Sequence, residues 1–138
     1  MMPIHVLVAS SSAYRRWWYV EQLQQHDMEV TTAHDGLTCI QQMRACLPDV
    51  VLLEPSLLWG GSHGVLAVRS QEPEFQHIPV VLVAVDGISP DWYELSRYSV
   101  QGLLLRRPSA QKLAATLYAA LNEECDVAST CSDSPVAF

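Results

Sequence analysis

The sequence has no apolar run approaching the roughly 20 residues that a membrane span needs. Too little positive charge precedes the short apolar run of MMPIHVLVAS for a secretion signal. The expectation is a cytoplasmic protein without membrane attachment. Basic residues are scarce as well: eight Lys and Arg stand against fifteen Asp and Glu, a net charge of −7. The densest basic pairs, Arg15-Arg16 and Arg106-Arg107, are too small to track a phosphate backbone, which argues against nucleic acid as a partner.

No CxxC pair occurs among the four cysteines, and His5, His26, His34, His63 and His77 are scattered. No ligand pairs converge on a tetrahedral metal site, so neither metal nor cofactor is expected. Cys39 and Cys46 lie in a helical pattern and Cys125 and Cys131 near the end. Free thiols are the expectation, with a Cys125–Cys131 bridge the alternative. The phosphate-loop pattern GxxxxGK followed by Ser or Thr is missing. Ser10-Ser11-Ser12 therefore reads as helix-capping hydroxyls, and Gly60-Gly61-Ser62 as a turn.

What is present is an ordinary globular composition of 138 residues, 49% hydrophobic and 17% charged, enough for one domain with a real core. Short apolar runs alternate with helical patterns. Strands are expected at Ile4–Ala9, Met28–Ala33, Asp49–Glu54, Pro79–Val85 and Gly102–Leu105. Helices are expected from the serine run to about His26, from Asp35 to Leu47, around Val65–Ser70, over Asp91–Tyr98 after Pro90, and from Ser109 onward. A loop with Pro55 and Gly60-Gly61 separates the third strand from its helix. Strands each followed by a helix imply a parallel sheet covered on both faces. From about Asn122 the chain is small, acidic and Ser-rich, which divides it into a domain over 1–122 and a flexible acidic tail over 123–138.

In such sheets ligand sites lie at the carboxyl ends of the strands. Those positions carry Ser10 and Ser11, Glu54, Ala84, and Arg106-Arg107-Pro108. Their order, together with VVLLE (50–54) and HIPVVLVAV (77–85), resembles the receiver domain of bacterial response regulators over about residues 4–122. The resemblance implies a flavodoxin-like three-layer sandwich with strand order 2-1-3-4-5. It also implies a two-component, phosphorelay setting. In that family an acidic pair after the first strand holds magnesium, and an aspartate ending the third accepts phosphate. A Ser or Thr ends the fourth strand, and a Lys-Pro pair ends the fifth.

Here Ser10 and Ser11 stand at the acidic pair and Glu54 at the acceptor. Ala84 stands at the switch hydroxyl, and either Arg106 or Arg107 at the lysine. Hydroxyls are poor magnesium ligands, and a carboxylate one methylene longer is misplaced for in-line transfer. The site reads as degenerate, with Glu54 paired to Arg106 or Arg107, either as a built-in substitute for a phosphoryl group or as an ordinary ion pair.

In the first helix, Trp18, Tyr19 and Leu23 are expected to pack inward and Trp17 to face solvent, a candidate interface residue. Trp92 and Tyr98 are candidates on the fourth helix, and Leu104 or a neighbouring Leu takes the family's aromatic switch position. The reading is a stand-alone pseudo-receiver that is not an enzyme. It acts in signal transduction by protein interaction, with homodimerisation possible. A working phosphorelay receiver using Glu54 or a nearby acceptor, and an unrelated ligand-binding or enzymatic α/β domain, are the alternatives.

Overall fold

A computed structural model describes residues 3–54, 61–84, 98, 100–105 and 108–122, with backbone alone at 61–63, 84 and 105. The elements run β1 (His5–Ala9), α1 (Ala13–Gln24), β2 (Glu29–Ala33), α2 (Gly36–Cys46), β3 (Val50–Leu53), α3 (Gly61–Gln71), β4 (Val80–Ala84), β5 (Gly102–Leu105) and α4 (Ala110–Asn122). The five strands form one sheet in the order β2-β1-β3-β4-β5, and every neighbouring pair is parallel.

The unbroken apolar strands follow from burial on both faces. The period of two divides each strand between two cores. Leu7, Ala9, Val51, Leu53 and Leu82 face Cys39 and Met43 of α2 and Val65 and Leu66 of α3. Val6, Val8, Val50, Leu52, Val81, Val83 and Leu104 face Tyr19 and Leu23 of α1 and Leu113, Leu117 and Ala120 of α4.

The caps fall where the sequence places them. Ser12 Oγ accepts from the Arg15 N–H at 3.2 Å, Asp35 Oδ1 from Thr38 N–H at 2.7 Å, and Ser109 Oγ from Lys112 N–H at 3.1 Å. Two boundaries differ from expectation by two residues or more. Helix α1 stops at Gln24 rather than His26, because Asp27 turns left-handed at φ 62°. Its N–H returns to Gln24 O and that of Met28 to Leu23 O, closing the helix. Helix α3 begins at Gly61 rather than near Val65: burial of Val65 and Leu66 outweighs the poor propensity of Gly61 and Gly64.

The loop at 55–60, residues 91–97 of the helix expected over Asp91–Tyr98, and the tail over 123–138 lie outside the described residues. No described helix is long and apolar enough to cross a membrane.

Candidate functional site

The parallel register brings Ala9, Ala33 and Leu53 abreast at the carboxyl edge. Backbone pairing runs one residue further. Ser10 N–H donates to Ala33 O and Glu54 N–H to Ala9 O, each at 3.0 Å. Ser10 and Glu54 thus sit side by side on the last rung of the sheet, and both are buried.

A buried carboxylate is costly unless it is paired and hydrogen-bonded. Glu54 receives four hydrogen bonds from the described residues. Ser10 Oγ–H reaches Oε1 at 2.7 Å and Arg15 Nη2 reaches it at 3.1 Å. Arg15 Nε reaches Oε2 at 2.9 Å and the Tyr19 hydroxyl at 3.0 Å. A carboxylate offers about four lone-pair sites, so this one is saturated.

Helix α1 supplies two of the three partners. Ser12 starts the helix, which sets Arg15 one turn in; Tyr19 follows at i+4, on the same side. Arg16 Nη1 donates to Ser10 O at 2.7 Å and steadies the connection. The hydrogen bonding of Arg15 to Glu54 raises the pKa of its guanidinium, against a smaller opposing effect of burial. Burial, then the charge of Glu54, pushes the Tyr19 phenol far above its ordinary value. Tyr19 is a neutral donor at any physiological pH.

The structure adds a partner that the strand-end positions do not give. Among the described residues the guanidinium on Glu54 comes from Arg15 in α1; Arg106 and Arg107 lie outside the described residues. Strand-end reasoning misses Arg15 and Tyr19 because both reach the edge from a helix. The signal for them was the Arg15/Tyr19 i,i+4 spacing directly after the cap.

Ser11 is exposed and makes no bond to Glu54 among the described contacts. Ala84 ends β4 opposite Leu105. Trp17 is exposed (57%), while Trp18 packs on the core beside buried Tyr19 and Leu23, as expected. Tyr98 is half-buried against the other core, so it is less available than expected, and Leu104 is buried. Trp92 lies outside the described residues. No group of three or more His, Cys, Asp or Glu side chains converges as metal ligands among the described residues.

No family model and no curated protein sequence matches the chain. Solved structures do. The chemotaxis protein CheY4 of Vibrio cholerae superposes with a TM-score of 0.78 at 19% identity, over 86% of this chain and 99% of that one. This is the receiver fold. The receiver domain of a Pseudomonas aeruginosa sensor histidine kinase, with magnesium in its active-site cleft, gives a TM-score of 0.80 at 12% identity, over 88% and 99%. The receiver domain of a signal transduction histidine kinase from Syntrophus aciditrophicus gives 0.78 at 13% identity, over 86% and 89%. The Glu54 cluster lies at the carboxyl ends of β1 and β3, the edge where parallel α/β sheets place their ligand sites. At these identities the likeness is one of fold.

Proposed function

We propose that this chain is a receiver-fold signalling module that works by binding protein partners, without aspartyl phosphorylation or enzymatic turnover, in the cytoplasm. The saturation of Glu54 by Ser10, Arg15 and Tyr19 carries the reading. An attacking carboxylate oxygen needs a free lone pair aligned with the phosphorus. Here either oxygen would have to shed two hydrogen bonds first.

The described residues at this edge do not suit magnesium. Ser10 and Ser11 are neutral, Ser10 already spends its proton on Glu54, and the Arg15 guanidinium holds the position beside the carboxylate. A second cation there would face repulsion with few carboxylates to offset its dehydration. The Arg15–Glu54 pair instead supplies internally the charge neutralisation that a metal would bring, and it leaves the domain in one arrangement. A surface that does not switch recognises its partner preformed.

The test is incubation with acetyl phosphate and magnesium, followed by intact-mass measurement. The mass should stay unchanged. A gain of one phosphoryl group mapping to Glu54 would refute the proposal and favour a working phosphorelay receiver.

A further inference from the structure

Helix α1 carries two arginines, and neither lies on its outer face. Arg15 turns to Glu54 and Arg16 to Ser10 O. The face left to solvent is formed by Ala13, Tyr14, Trp17, Glu21 and Gln24, the stripe opposite buried Tyr19 and Leu23. Tyr14 and Trp17 are the two most exposed large apolar side chains described, at 72% and 57%. Their rings touch, with centroids 6.2 Å apart at a tilt of 34°. Glu21 follows Trp17 by four residues, within reach on the same stripe. Its carboxylate forms no ion pair among the described residues, and no described cation lies over either ring. The outcome is a small aromatic and anionic platform on a protein of net charge −7.

We propose that this face of α1 docks a basic segment of a partner protein, an arginine or lysine lying over the Tyr14–Trp17 pair with Glu21 as its counter-ion. Aromatic ring faces attract cations, and a carboxylate one turn away adds charge complementarity. The retention of Arg15 and Arg16 by the sheet edge keeps the helix's own cations from competing. The proposal names a partner chemistry for the interaction module described above and rests on that reading. Its test is independent of phosphorylation: a protein that accepted phosphate yet bound the basic probe would sink the module reading alone.

The probe is a fluorescein-labelled peptide of alternating arginine and glycine, read by anisotropy at about 0.15 M salt, where nonspecific attraction is damped. A peptide alternating glutamate and glycine is the control. The arginine peptide should bind and the glutamate peptide should not. Trp17→Ala and Glu21→Arg should each weaken binding by about tenfold. Glu74→Arg makes the same change in net charge at an exposed site beyond α3, and should alter affinity less than about twofold. Circular dichroism confirms that each variant is folded. Equal losses from Glu21→Arg and Glu74→Arg would reduce the effect to bulk charge and overturn the proposal. So would binding unaffected by Trp17→Ala, or no binding of the arginine peptide at all.

Discussion

Arg15 approaches Glu54 side-on, with Nε 2.9 Å from one carboxylate oxygen and Nη2 3.1 Å from the other. Two parallel charge-assisted bonds of this kind fix orientation as well as distance. Because the same carboxylate also receives Ser10 and Tyr19, the end of β3 is tied to β1 and to α1 at a single point. The fork therefore fixes helix α1 to the sheet, and with it the exposed face carrying Trp17.

The tie should be measurable as coupling. Tyr19→Phe removes a buried hydroxyl donor to a charged group and should cost about 2 kcal/mol in urea unfolding. Arg15→Met should also cost about 2 kcal/mol, below the range for fully buried pairs, because Arg15 is one-third exposed and water can replace it. The two losses share Glu54 and should not add; coupling of about 0.5 kcal/mol or more is expected in a double-mutant cycle. Strict additivity would mean that the two side chains act separately.

Alkali should destabilise the fold from about pH 9 upward. Burial, followed by the charge of Asp35, pushes the Cys39 thiol up to about 12, and Tyr19 is raised further still. Both groups keep their protons in the folded chain at pH values where the unfolded chain loses them. Their stabilisation is complete below the ordinary thiol and phenol values, and it drains away as pH climbs toward the folded ones. The melting temperature should fall between pH 8.5 and 10.5, at about the onset set by an ordinary thiol, and less steeply in Cys39→Ala. An identical slope in that variant would exclude the thiol as the source.

Adjacent tryptophans should behave oppositely. Trp17 is exposed and Trp18 lies against the Leu23 and Leu117 core. Trp17→Ala should change stability by less than about 0.5 kcal/mol, and Trp18→Ala should lower it by about 2 kcal/mol. Comparable losses from the two would place Trp17 in the core and remove it as a docking residue.

Much of this molecule is legible from its sequence for plain physical reasons. Strands buried on both faces must be apolar throughout, so IHVLVA and VVLL announce themselves, and Ser12, Asp35 and Ser109 mark helix starts by supplying acceptors. The Ser10–Glu54 adjacency follows once the strands are parallel and in order. The identity of the cation on Glu54 does not follow, since a carboxylate at a strand end can be reached from any neighbouring element. Arg15 reaches Glu54 through the rotation that the Ser12 cap gives α1, a three-dimensional relation with no trace in strand-end spacing. The start of α3 was hidden for another reason. Gly61 and Gly64 weaken the local helical signal, and contacts made by Val65 and Leu66 with distant residues restore the helix.

Glu54 meets Ser10, Arg15 and Tyr19 across 44, 39 and 35 residues of chain. None of these bonds can close until β3 has come alongside β1 with α1 already laid on them, so loop closure is spent before the cluster returns anything. Interactions that form late act on the rate of escape from the native state more than on the rate of arrival. The buried carboxylate is in this sense a clasp in time: it lengthens the life of the folded domain while doing little to speed its formation.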